Sequence, residues 1–492
     1  MSLLSRLILL LAAAVALIAP SLAQAAVGEA SRSEALNALD RAEAALSGAT
    51  PSSRTLAAGA PESHEATTAL LDLAVALPAL DGVERRRAER ILARPTEGGR
   101  GDYFGPEAAD SPICSARFCV HWSDRESDAP LSQQYIEQVA AAAERSYSIE
   151  NGELGWREAK SDGTLGSRAG KGGAGQADVY IAGLGGGLYG FASTDPGQGN
   201  DTKRFSYLVV DNDYEGFAGT PVELMRATVA HEYNHVLQFS YDVYQQLWIG
   251  ESTATWMEEQ VFPGVDDYLN YLRAFAQKPG VPLTRSNFKV YGSAVWNHWL
   301  SSRLGSETVR ESWALSTQVR PQHFAVAAYE RAIEDSGGRS FSRQFAKFAT
   351  ETSEWRGSNA FPDAGSYPDV RRDGKLLPEG NAKRFRLDNT SYRLLKARAR
   401  GGGAITLSVK AERGTRSAIA LVGREGAPTS RRVTVSSRYL AGGGRGRVRL
   451  ARPGGFERIT AVVVNADGRG GFGSSREPRY RADDSAYRVK LR

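Results

Sequence analysis

The sequence predicts an α+β protein, in which a mixed sheet with its helices gives way to an all-helical stretch and then to a C-terminal β-sandwich. Three features predict it. Apolar residues recur at helical spacing through the first hundred positions; strand-like and helix-like segments then mix and turn wholly helical after residue 250; from about residue 370 short alternating runs are separated by Gly-rich turns. The 492 residues, 41% of them hydrophobic, are enough for two or three domains with ordinary cores.

The first segment, "MSLLSRLILLLAAAVALIAPSLAQAA", carries one positive residue, Arg6, then a short apolar run that ends in small residues at Ala23-Gln24-Ala25. That is the pattern of a secretory signal peptide over residues 1–25, so the mature chain is expected to be secreted. The run is too short for a comfortable membrane span, no later segment is apolar enough for one, and none is expected after signal removal.

Residues 26–100 read as helical, with Ala and Leu at helical spacing in "SEALNALDRAEAALSG" and "ATTALLDLAVALPALDGVERRRAERILA" before "RPTEGGRGDYFG" breaks the pattern. The segment is either a pro-region that covers a site until it is removed or a structural helical layer, and no motif decides between them. In residues 101–360, "CVHW", "ADVYIAGLG" and "RFSYLVVDND" read as strands and "DAPLSQQYIEQVAAAAERSYSI" as a long helix. Five further helices are expected at 250–261, 264–277, 293–303, 322–335 and 340–352. The only cysteines, Cys114 and Cys119, read as one small-loop disulfide in an exported chain.

Residues 370–492 hold seven strand-like runs, from "YRLLKARA" to "SAYRVKL". From Arg371 to Arg492 there are 29 Lys and Arg against 10 Asp and Glu, whereas the remainder has 32 against 46; the formal charge of +5 thus divides into +19 and −14. Such a division suggests separate domains with separate tasks. The basic region either docks on an anionic cell-surface polymer, packs on the acidic remainder, or simply keeps an exported domain soluble. It has no stacking-aromatic motif, and no specific nucleic-acid partner is expected.

The chemistry concentrates in "VAHEYNHVLQF". Thr220 is a good N-cap, Pro221 suits the first helical position and Glu223 completes a capping box, so a helix starts there and runs past His235. Four residues apart on a helix, His231 and His235 share a face and can aim their imidazoles at one point. Neutral imidazole nitrogens ligate zinc, and Glu232 stands beside the first histidine, where it reaches a metal-bound water without ligating; this is the HExxH arrangement. The bland reading is two polar residues on a buried helix, each bonded to a carbonyl or carboxylate.

Catalytic zinc takes three protein ligands and keeps a fourth position open. Glu251, in "LWIGESTATWMEEQ" and separated from His235 by 15 residues, is the first candidate for the third. It is expected in the first turn of a second helix that begins near Gly250, after a loop from Gln238 to Ile249. Glu258 and Glu259 compete, one to two turns deeper.

These residues resemble the gluzincins, the thermolysin-like and aminopeptidase-like zinc peptidases, in which HExxH is followed by a Glu on a second helix, often within Trp-x-x-Glu-Gly-x-Ala. Here the matching residues are Trp248, Glu251, Ser252 and Ala254, with Ser252 in place of the common Gly and a slightly short gap. More widely, "YLVVDND…TVAHEYNHVLQFSYD…WIGESTATWMEE" is similar to a family of secreted bacterial metalloproteases known mainly from sequence, over about residues 100–360 and strongly over 206–260. The resemblance implies a zincin-like metallopeptidase domain over residues 101–360 acting on protein or peptide substrates. It implies zinc ligands His231, His235 and Glu251, with Glu232 as the general base that takes a proton from the activated water and passes it to the leaving amine.

Gluzincins usually supply a Tyr or His to stabilise the oxyanion, and "FKVYGSAVWNHWL" offers Tyr291 and then His298, close to one helical face. Substrate peptides in such enzymes lie along an edge strand, for which "RFSYLVVDND" is the expected one. Asp211, Asp213 and Glu215 after it offer either a calcium site or a polar turn. Thr255 and Glu258 share the helical face of Glu251 and are expected to support the histidines. The rival readings are a secreted envelope- or polyanion-binding protein with an inactive metalloprotease-like domain, against which the retained Glu232 speaks, and a hydrolase of non-peptide amides or esters.

Overall fold

The computed structural model describes residues 30–46, 65–97, 112–165 (except 126 and 164), 176–184, 187–285 (except 200), 289–317, 325–468 (except 379, 400 and 401) and 484–492. The signal-peptide reading lies outside the described residues.

Three N-terminal helices, α1 (Arg32–Leu46), α2 (Glu65–Ala76) and α3 (Gly82–Leu92), precede a five-stranded mixed sheet. Its strands are β1 (Ile113–Cys114), β2 (Phe118–His121), β3 (Ala177–Ala182), β4 (Gly190–Ser193) and β5 (Tyr207–Asp211), in the order β1-β2-β3-β5-β4. The β2–β3 and β3–β5 pairs are parallel; β1 and β4 run antiparallel to their neighbours. Cys114 and Cys119 face each other in the β1–β2 register and form the expected disulfide. The long helix α4 (Gln133–Tyr147) provides the crossover from β2 to β3.

The sheet is apolar on both faces, and the strands show why. Val179, Ile181, Leu208 and Val210 enter the main core with Val139 of α4; the alternate residues Tyr180, Ala182, Tyr207 and Val209 enter a second core with Leu70, Leu73 and Leu77. Strands covered on both faces read as continuous apolar runs, as β3 and β5 do.

One expectation is overturned. Strand β5, from "RFSYLVVDND", is not an edge: β4 pairs outside it, with Phe191 opposite Val209 and Ala192 opposite Leu208. The four residues of β4, all buried, carry no alternation that would mark them in the sequence. Gly190 permits this pairing, since a Cβ there would lie 2.6 Å from both Val209 O and Thr228 Cγ2.

The motif helix is α5 (Pro221–Tyr241). Thr220 Oγ1 accepts the Glu223 N–H and donates to the Glu223 carboxylate, so Thr220 caps the helix as expected. Every residue from Ala227 to Tyr241 is buried, as befits a helix enclosed on all sides. Helix α5 ends six residues later than His235, and α6 (Leu247–Val261) starts earlier than expected, so Glu251 sits in the second turn rather than the first and the connecting loop is short. Then follow α7 (Leu269–Gln277), α8 (Ala294–Leu304), α9 (Glu307–Ser316), α10 (Ala325–Asp335) and α11 (Phe341–Glu351). Of these, α9 was not anticipated: Gly305, at φ 94°, ends α8, and the chain turns at once into a new helix.

The C-terminal strands are β6 (Lys375–Leu376), β7 (Lys383–Leu387), β8 (Ser391–Ala397), β9 (Ile405–Ala411), β10 (Ser417–Arg424), β11 (Val433–Leu440), β12 (Gly444–Leu450), β13 (Arg458–Asn465) and β14 (Ser485–Leu491). They form one sheet in the order β11-β10-β13-β8-β6 and another in the order β12-β9-β14-β7. Leu395, Leu421 and Val463 of the first sheet and Leu407, Val448 and Val489 of the second belong to a single apolar cluster. All seven expected runs are strands; β6 and β7 were not expected. No helix among the described residues is long and apolar enough to cross a membrane.

Candidate metal centre

Helices α5 and α6 bring three side chains to one point. His231 Nε2 and His235 Nε2 lie 3.1 Å apart, and Glu251 Oε2 lies 3.4 Å from each. The other face of each imidazole is already committed. Gln238 gives both amide protons away, to Asn234 Oδ1 at 2.7 Å and to the Gly250 carbonyl at 3.0 Å. Its Oε1, 2.9 Å from His235 Nδ1, can only accept, so His235 carries its proton on Nδ1. His231 Nδ1 donates likewise to Glu258 Oε1 at 2.6 Å. Two imidazole nitrogens and a carboxylate oxygen therefore converge on one point. Glu251 Oε2 is buried and accepts no hydrogen bond.

Positive charge at the centre, from a metal ion or from an imidazolium proton, balances the buried carboxylate. Tetrahedral zinc with ligand distances of about 2.0–2.1 Å has ligand–ligand edges of about 3.3–3.4 Å. The observed triangle of 3.1, 3.4 and 3.4 Å fits those edges. Charge agrees: burial works to raise the Glu251 carboxyl, but His235 and His231 outweigh it and hold it below the ordinary carboxylate range. Burial likewise disfavours the charged form of His235, yet Glu251 raises that imidazole. The residues thus fit a zinc ion with a carboxylate–histidine–metal triad behind it in Glu258.

The two competing carboxylates separate. Glu258 supports His231 from behind, as its shared helical face suggested, whereas Thr255 Oγ1 makes no hydrogen bond. Glu259 joins Asp266 and Asp363 in a different carboxylate group. Tyr291 lies near the centre, its ring 6.4 Å from that of His231. His298 packs against Tyr268 at 4.8 Å, and burial pushes its imidazole down to about 3. Asp211 caps a turn, with its two oxygens accepting the Leu184 and Tyr214 N–H groups, and Asp213 accepts the Glu215 N–H.

Glu232 is fully buried, and its Oε2 accepts a hydrogen bond from Thr67 Oγ1 at 2.8 Å. The next residue, Thr68, donates to Glu251 Oε1 at 2.7 Å. A small cavity of about 20 Å³ lies beside the centre, with Thr68, His235, Asp242, Gln245 and Glu251 in its walls. Sequence reasoning missed three contributors. Gln238 was findable, being one turn from His235 on the same helix. Thr67 and Thr68 were not, since 165 and 183 residues separate them from their partners. No family model matches the chain, and no curated protein is similar to it.

Proposed function

We propose that the protein is a secreted zinc-dependent metallopeptidase, with a zincin-like domain over residues 101–360 and a basic β-sandwich after it. The observation that carries the reading is the convergence of His231 Nε2, His235 Nε2 and Glu251 Oε2 while both Nδ1 atoms are tied to Glu258 and Gln238. When bound there, zinc polarises the scissile carbonyl and makes water acidic enough to attack near neutral pH. Glu232, beside His231 on the same helix, takes one proton from the attacking water as the O–C bond forms. It returns that proton to the amine nitrogen as the C–N bond breaks. Tyr291, whose ring lies 6.4 Å from that of His231, is the residue assigned to donate to the developing oxyanion. The disulfide between Cys114 and Cys119 supports export, because such bonds persist in oxidising compartments.

The test is zinc stoichiometry followed by hydrolysis. One zinc per chain is expected, lost in His231→Ala and kept in Glu232→Gln. Casein hydrolysis is expected to fall by roughly 10²–10⁴ in Glu232→Gln. A chain that takes up no zinc overturns the reading, and so does casein hydrolysis that survives Glu232→Gln.

A further inference from the structure

The cleft in front of the centre is an interaction surface, and a segment of the same chain already occupies it. Helix α2 enters with its first turn. Thr67, 1% exposed, donates to Glu232 Oε2 at 2.8 Å and accepts the Ala192 N–H at 2.9 Å; Thr68 donates to Glu251 Oε1 at 2.7 Å. Two consecutive residues thereby engage the proposed base, a metal ligand and the outer edge of the sheet.

The Ala192 contact is informative. Strand β4 is the edge of the sheet, and Asp211 N–H bonds to Tyr189 O across its inner side. In an antiparallel pair alternate residues turn their N–H groups outward, and Ala192 is one of these. A peptide that adds to this edge as an extra strand needs such outward groups. Thr67 takes one of them with its side chain, while its hydroxyl proton rests on the carboxylate that must accept a proton from water. Thr68 uses Glu251 Oε1 and leaves Oε2 facing the imidazoles, so the ligand set stays assembled.

The rest of the layer holds that turn in place. Leu70, Leu73 and Leu77 are buried with Phe191, Tyr207 and Val209 on the second face of the sheet. Arg204 Nη1 donates to the Ala74 carbonyl at 2.9 Å, and Arg94 beyond α3 is buried among Asp162, Asp178 and Asp195.

We infer that residues 65–76 act as a built-in inhibitor of the metal centre: Thr67 and Thr68 stand where the substrate strand and the reacting water must come, so that the intact chain binds zinc yet turns over extended peptides slowly. The inference rests on the metallopeptidase reading above. It resolves the ambiguity of the N-terminal region in favour of a covering segment, although one docked through an apolar core rather than loosely attached.

The experiment uses the full chain loaded with zinc. Thr67→Ala combined with Thr68→Ala removes the three hydrogen bonds and leaves the ligands and the base intact; Leu70→Asp loosens α2 from its core without touching the centre. Each variant is expected to keep one zinc per chain and to hydrolyse a fluorogenic peptide roughly 10- to 100-fold faster than the wild type. A wild type as fast as the double variant overturns the inference, and so does a double variant that is slower, since Thr67 would then be positioning Glu232 for catalysis. A measurement on the wild type alone guards against variants that fail to fold. A tetrapeptide hydroxamate should bind the zinc-loaded wild type far more weakly than acetohydroxamate does, and tight binding of the longer probe refutes the inhibitor. Absence of zinc from every form would instead overturn the metallopeptidase reading, a distinct outcome.

Discussion

Two imidazoles tied at Nδ1 to Glu258 and Gln238 turn their Nε2 atoms to one point, and that single fact ranks the residues around them. Glu258 matters because it fixes the proton of His231, not because it ligates. Replacing it by Ala removes the hydrogen-bond partner that orients the His231 ring. Zinc affinity, measured by competition with a chelator, is expected to fall about 10- to 100-fold. Glu251→Ala should cost more, since it leaves the two nitrogens facing each other at 3.1 Å with no carboxylate to balance the ion. At this scale the sequence told much: caps and spacing put His231, Glu232 and His235 on one helix, and a second helix with a gluzincin-like context put Glu251 ahead of Glu258 and Glu259. It was silent on Thr67, because a threonine in an Ala-rich helix looks like any other until the fold sets it against Glu232.

Lys289 offers a test at the same scale that is independent of metal. It is 1% exposed, and its ammonium donates to the carbonyls of Lys278 and Val281. Burial lowers it to about 7 from its ordinary value of 10.5. The sign follows directly. Between about 7 and 10.5 the unfolded chain holds a proton that the folded chain has released, so stability rises with pH across that window. From pH 6 to pH 9 the wild type should gain about 2–3 kcal/mol relative to Lys289→Met, as judged by urea denaturation at each pH. A difference that stays constant with pH refutes the buried, proton-releasing lysine.

At the scale of elements, helices were legible where apolar spacing or caps announced them, and strands were legible where they alternated or ran long. The failures share a cause. Strand β4 is four residues long, and β6 only two, too short for any period to register; their pairing is decided by the strands beside them. Helix α9 was hidden because a one-glycine turn separates it from α8. The position of the N-terminal layer was equally invisible, since it depends on Arg94. That guanidinium is wholly buried and meets three aspartates, with Asp195 Oδ1 at 2.6 Å from Nε. Removing one partner of a buried ionic cluster leaves uncompensated charge, here three carboxylates. Arg94→Ala is therefore expected to destabilise the docked layer by about 3–5 kcal/mol. Faster amide exchange in α1–α3 would report it, and exchange unchanged from the wild type would show that the apolar core alone holds the layer.

At the scale of the molecule, the division of charge read from composition acquires two destinations. Part of the basic excess faces inward: Glu354, just after α11, accepts hydrogen bonds from Arg372, Arg424 and Arg458, joining the helical half to the β10–β13 sheet. The rest faces outward on the other sheet, in an order that composition could not foretell. Its registers align Arg445 of β12 with Lys410 of β9, Lys410 with Arg488 of β14, and Arg488 with Arg384 of β7. All four are exposed, so a line of cations crosses the sheet from edge to edge. Like charges directly opposite one another destabilise a sheet, so this row is a cost that folding alone does not explain. A linear polyanion relieves it, and the outward positions beside the row, Thr406, Ser408 and Ala486, offer no aromatic platform for bases. Of the three roles that composition left open for the basic region, polymer docking is the one this row tests. Changing Arg384, Lys410, Arg445 and Arg488 together to Ser should weaken binding to heparin at least about 10-fold and flatten its dependence on salt. Melting temperature should rise or hold, because three cross-strand repulsions disappear. Changing four exposed arginines off this face, Arg413, Arg431, Arg432 and Arg438, removes the same formal charge. If that control weakens heparin binding equally, the basic region acts through its net charge and the aligned row has no special part.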